Sequence, residues 1–179
     1  MSDPSDKPTP GSKSDTASAV KEAIGGAAGL AAAATAITRD RFVHHAAIAN
    51  LYELEAAKIA LRRAQRQDVK EFARAMLADH EKVGSELKSF LGGTNSPQSL
   101  PDQLDAVHRT LIDDLDGAAN EDFDKRYISQ QKIAHQEAIT LFTTYHHSGR
   151  DGGLRNLAGL ALPVLQQHLE MVNELEKAS

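Results

Sequence analysis

The sequence predicts an all-α fold, a four-helix bundle with a short extra helix in the connection between the second and third long helices. Three observations carry this. Four long stretches place apolar residues three and four apart, the spacing that gives a helix one buried face. No stretch alternates apolar and polar residues for long enough to argue a strand. The composition, 4% aromatic with no Trp and rich in Ala, suits helices that approach one another closely.

The 179 residues suit one domain and a tail, with residues 1–38 as a disordered tail plus an Ala/Gly-rich segment and residues 39–177 as the bundle. Residues 1–16 are rich in Ser, Asp, Pro and Lys, a composition that cannot bury a core. Residues 23–37 are small and apolar, and two readings stay open: a loose Ala-rich helix or linker, or an export or membrane signal that associates the chain with the cell envelope. A formal net charge of −5 points away from nucleic acid. The absence of cysteine excludes disulfides, zinc–thiolate sites and Cys nucleophiles.

The first firm helix is expected from about Asp40, as N-cap, to Arg66, burying Phe42, Ala46, Ala49, Ala56, Ala57, Ala60 and Ala64. Glu53 interrupts that stripe, whereas Glu55 points to solvent. Asp68 caps a second helix reaching about Leu91, with Val69, Phe72, Ala73, Met76, Val83 and Leu87 inward and His80 among them. Gly92 to Pro97 read as a loop. Pro101 suits the first turn of a short helix reaching Asp116, with Val107 and Leu111 in its stripe and His108 alongside. A long helix from about Asn120 to His147 carries Gln131 and His135 on its apolar face, and a last one from about Leu154 to Lys177 carries His168. Pro163 is expected to kink that helix.

Each long helix thus carries an ionisable group among its apolar residues, and the heights agree. Measured from the tight turn between the first two helices, Glu53 lies about 21 Å along one, His80 about 19 Å along the other and His135 about 21 Å along the third. His168 falls about one turn off that level. Glu53, His80, His135 and His168 are the candidate ligands of a divalent transition metal (Zn, Fe, Mn or Cu), with Asp79 and Gln131 as outer partners. A buried hydrogen-bond network without metal, in which Glu53 and Asp79 serve His80, stays open beside it. No acid stands three residues before any of the three histidines, which argues against a di-iron centre. His44, His45, His146 and His147 read as surface residues. No Ser-His-Asp order, phosphate loop or nucleotide fingerprint argues for an enzyme.

Phe42-Val43, Ala49-Asn50, Asp79-His80, Leu100-Pro101, Phe123-Asp124 with Tyr127, and Pro163 with Leu165 and His168-Leu169 resemble, in order, a bacterial family known as domain of unknown function number 4142. Its members are often called predicted outer membrane proteins. The resemblance covers about Phe42 to Leu175 and implies a ferritin-like four-helix bundle. It marks Asp79, His80, Asp124, His135 and His168 as family positions, adding Asp124 to the candidate outer partners, and it implies no fixed activity. Two functions follow as expectations: a metal-binding bundle tied to metal or oxidative stress, or a non-enzymatic structural module of the envelope. The resemblance implies a periplasmic or envelope location through an export signal, from which the acidic, Pro-containing start departs toward a cytoplasmic one.

Overall fold

The computed structural model describes residues 37–93 and 99–179, and these form five helices and no strand. They are α1 (Arg39–Arg63), α2 (Gln67–Gly93), α3 (Ala106–Asp116), α4 (Asn120–Ser148) and α5 (Gly152–Lys177). Residues 1–36 and 94–98, and with them the expected tail, most of the Ala/Gly segment and most of the Gly92–Pro97 loop, lie outside the described residues. Among the described residues no helix is long and apolar enough to cross a membrane.

The links between α1 and α2 and between α4 and α5 are a few residues each, which forces two antiparallel hairpins. Helix α1 packs on α2, α2 on α5, α5 on α4 and α4 on α1, and the short α3 lies against α1 and α4. Helix α1 therefore has neighbours on three sides. Its buried face is wider than one stripe, taking in Val43, Ala47, Ile48, Tyr52 and Ile59 beside the expected alanines.

Several boundaries differ from expectation for identifiable reasons. The N-cap of α1 is Thr38, whose hydroxyl accepts from the Arg41 N–H, so Asp40 lies inside the first turn. Helix α2 runs through Gly92 and Gly93. Pro101 does not open α3; Asp105 does, its carboxylate accepting from the His108 N–H at 2.9 Å. At 11 residues α3 spans only about 16 Å, so irregular chain makes up part of the return. Val107, expected inward, is 38% exposed. Pro163 lies inside α5, as expected.

Polar contacts tie α3 and α4 to the α1–α2 turn. The Arg63 guanidinium donates to the carbonyls of Asp116 and Ala118 and lies 4.8 Å above the Phe123 ring. Asp124 accepts from the backbone N–H of Gln65 at 3.0 Å and of Arg66 at 2.8 Å. At the opposite end Arg39 pairs with Asp151, the cap of α5, at 3.1 Å. Two apolar clusters fill the interior. One, with Phe72, Tyr127 and Val172, lies toward the α1–α2 turn, and the other, with Phe42, Tyr145 and Leu165, toward the far end. Between them sit the buried polar residues Asn50, Glu53, His80, Gln130, Gln131, His135 and His168.

Candidate metal centre

Three helices deliver one imidazole each to this middle layer. His80 of α2, His135 of α4 and His168 of α5 are 5%, 1% and 1% exposed, and each offers a ligand atom within 4.8 Å of the other two. The ring centroids are 6.0 Å apart for His80 and His135, 5.6 Å for His80 and His168, and 5.4 Å for His135 and His168. The axial offset expected for His168 does not keep it from the group, and a continuous α5 brings it there.

In each ring one nitrogen is held and the other is left free. His80 Nδ1 donates to Asn50 Oδ1 at 3.1 Å, His135 Nδ1 to the Gln131 carbonyl at 2.9 Å, and His168 Nε2 to Asp79 Oδ2 at 2.9 Å. These bonds fix the tautomers, so His80 Nε2, His135 Nε2 and His168 Nδ1 carry lone pairs. None of the three has a partner. Burial and the neighbouring imidazoles His135 and His168 push His80 down to about 3, and burial pushes His135 down to about 4, so both are neutral at physiological pH. Neutral imidazoles with an oriented second nitrogen are the form in which histidine binds a metal.

Glu53 does not join this group of ligand atoms. Its Oε1 approaches His135 Nδ1 at 3.8 Å, on the side of the ring that already donates to the Gln131 carbonyl. Burial raises its carboxyl to about 8, with the Gln131 amide pulling weakly the other way, so Glu53 is protonated at neutral pH. Although Gln131 lies against Glu53, neither amide atom makes a well-aligned hydrogen bond, and Glu53 Oε2 and the Tyr127 hydroxyl also lack one. Height along a helix placed Glu53 correctly; its direction around the axis separates it from the triad.

The outer partners also sort themselves. Gln131 serves through its backbone carbonyl. Asp79 reaches across to His168 of α5 and not to His80 beside it. Asp124 is remote, about 16 Å along α4 from His135, and closes the α1–α2 turn. Asn50 was missed by sequence reasoning. The remaining buried amide, Gln130, accepts from the Tyr52 hydroxyl at 2.9 Å and donates to Asp114 at 3.1 Å, joining α1, α3 and α4 beside the site.

A cavity of about 250 Å³ adjoins the triad, walled by small and aliphatic side chains such as Ala49, Val83, Ala138 and Leu141. Its outer lining comprises His45, Asp105, Val107 and His108. His45, expected at the surface, is half-buried there, whereas His44, His146 and His147 are exposed as expected. Glu137, also in the lining, is raised to about 7 by burial.

Among solved structures the fold is similar to one described as "Crystal structure of DUF305 fragment from Deinococcus radiodurans", at 16% identity and a TM-score of 0.66, covering 80% of this chain and 99% of that one. That likeness concerns fold alone. No curated protein matches the chain. A family profile described as "Domain of unknown function (DUF4142)" matches residues 25–175, reaching farther toward the N-terminus than the residues that carried the resemblance. The triad, its supporting partners and all five helices but the last residues of α5 fall within that span, and the chain belongs to this DUF4142 family.

Proposed function

We propose that the protein is a ferritin-like four-helix bundle that binds one divalent transition metal ion through His80 Nε2, His135 Nε2 and His168 Nδ1. The observation that carries this reading is the set of three buried lone pairs without donors, on three rings whose other nitrogens are all held. Leaving a buried polar atom unpaired costs about 1–3 kcal/mol, and a shared ion relieves all three at once. Three nitrogen ligands suit Zn, Cu and Fe better than Mn, which favours oxygen donors. Three protein ligands beside a cavity leave a coordination position for water or a small ligand.

Titration of chelator-stripped protein with Zn, Cu, Fe and Mn, read by elemental analysis and thermal unfolding, tests the proposal. One ion per chain is expected, with the midpoint raised by about 5–10 °C at a hundredfold excess over Kd. A triad variant such as His135→Gln should lose both effects while remaining folded. Folded wild-type protein that takes up none of the four metals would refute the proposal. The network reading would then stand, with His80→Leu folding at near-normal stability.

A further inference from the structure

At about 250 Å³ the cavity beside the triad far exceeds the space of one water molecule. It falls short of the about 300–1,000 Å³ typical of pockets for drug- and cofactor-sized ligands. We infer that it seats a small, uncharged, largely apolar organic molecule whose one nitrogen donor takes the ion's remaining coordination position. The inference rests on the metal-binding reading of the triad and names the class of ligand which that reading leaves open.

The size and walls of the cavity set the body of the ligand. A void of about 150 Å³ takes benzene, so this one has room for about ten non-hydrogen atoms. Small side chains keep it open: Ala46 and Ala49 of α1, Ala134 and Ala138 of α4 and Ala161 of α5 all line it. Leaving such a space unfilled forfeits packing, so stability alone does not account for alanine at all five positions. Val83 and Leu141 extend the same apolar walls, against which a hydrocarbon body leaves water favourably.

The polar part of the lining sets the head group. Among the described residues no Lys or Arg lines the cavity, whereas Glu53, Asp79, Asp105 and Glu137 do. An organic carboxylate or phosphate would share the space with these acids and find no basic side chain to pair with. A cation would be set against the ion itself. An uncharged head remains. None of the four acidic side chains joins the group of ligand atoms that the triad forms, so none of them occupies the open position. The cavity touches all three rings, and an ion held by three nitrogens keeps a further position for an outside ligand. A ring nitrogen of the imidazole type is a donor that Zn, Cu and Fe share. Its lone pair forms the new bond as the water there leaves, and no other bond changes.

The test uses Cu²⁺-loaded full-length protein at about pH 8, where imidazoles are uncharged. It is titrated with imidazole, with 4-phenylimidazole and with 3-phenylpropionate, a carboxylate of equal size. The visible absorption of the ion reports binding, and elemental analysis after gel filtration shows that the ion stays with the protein. 4-Phenylimidazole should shift the absorption and bind about tenfold or more tightly than imidazole, through burial of its second ring. 3-Phenylpropionate should leave the spectrum unchanged where 4-phenylimidazole saturates. Ala138→Leu and Ala161→Leu fill the cavity without altering a ligand of the ion. Each should keep the metal content of the wild type and lose the preference for the larger imidazole. Equal affinity for the two imidazoles, equal binding of the carboxylate, or a preference retained in either folded variant would overturn the inference and leave the metal site standing. A wild-type protein that takes up no Zn²⁺, Cu²⁺ or Fe²⁺ removes the triad reading, and this inference with it.

Discussion

Gly84 provides the sharpest test of how the triad is held. It lies one turn beyond His80 in α2, and a Cβ there would stand 2.7 Å from Asn50 Nδ2 and 3.7 Å from Asn50 Cγ. Asn50 fills the space that the missing side chain leaves, and its Oδ1 accepts the proton that fixes His80. Gly84→Ala therefore pushes the amide out of line without altering any ligand. Two stability effects oppose one another. Ala in a helix interior gains about 1 kcal/mol over Gly, while disturbing a buried hydrogen bond costs about 1–3 kcal/mol, so the fold should survive. The effect on the metal should be larger in relative terms, since losing an outer partner of a ligand weakens affinity by about 10–100-fold. Competition with a chromogenic chelator measures it directly. Asn50→Ala should produce a comparable loss, and the double variant should lose little more than either single one, because both act through one bond. Full affinity in Gly84→Ala, or additive losses in the double variant, would refute this account of His80.

Two other expectations separate the scaffold from the site. Asp124→Ala removes the acceptor for the Gln65 and Arg66 N–H groups. It should cost about 1–3 kcal/mol, or some 2–10 °C in the melting midpoint, with metal affinity unchanged. A fall in affinity would show that Asp124 reaches the centre after all. The metal-free protein should be most stable near pH 6.5 as far as the middle layer is concerned. Below that pH the unfolded chain protonates His80 and His135 while the folded chain resists down to about 3 and 4, so stability present above 6.5 is lost as pH falls. Glu53 acts in the opposite sense between 4.5 and about 8, where the folded state holds a proton that the unfolded state has released. With Glu137, itself raised to about 7, replaced by Gln, two histidines oppose one carboxyl below 6.5, a net slope of roughly 1–2 kcal/mol per pH unit, and above it Glu53 alone gives a similar decline. Urea denaturation of chelated Glu137→Gln protein across pH 4.5–8.5 should show the maximum, and adding Glu53→Gln should abolish the upper decline; a decline that persists in the double variant would disprove its assignment to this carboxyl.

How much of this was legible in the sequence depends on the kind of information each feature needs. Helical period shows which residues share a face, and rise per residue shows their height, so the burial of Glu53, His80, His135 and His168 in one layer could be read from the chain. Neither quantity gives a side chain's final direction, which is why Glu53 was grouped with three rings that it only backs onto. Pairings between distant segments were likewise hidden. Asp79 was assigned to its neighbour His80, but its partner is 89 residues away. Asn50 on α1 looks like any polar residue flanking an apolar stripe, and the one available signal was Gly84, a helix-interior glycine with no capping role. Competing start signals misplaced α3, where the capping carboxylate of Asp105 prevails over Pro101.

The arrangement of the middle layer bears on why it persists. The clusters around Phe72 and Tyr127 on one side and Phe42 and Tyr145 on the other are built mainly of apolar side chains, and a middle layer of Leu or Phe would join them into one core. Buried polar groups often give less stability than apolar residues of the same volume, so stability alone does not account for three adjacent imidazoles. A purely structural network would be expected to close on itself, with each ring donating and accepting. Here every bond is spent on the outward nitrogens, by three chemically different partners: an amide on α1, a backbone carbonyl of α4 and a carboxylate on α2. In each of the three rings the nitrogen left without a partner is the one that an ion would use. Three independent supports that leave the same function free in every ring fit the shared ion proposed above, and on that proposal substitution of any one support should weaken binding of the ion while leaving the two apolar clusters intact.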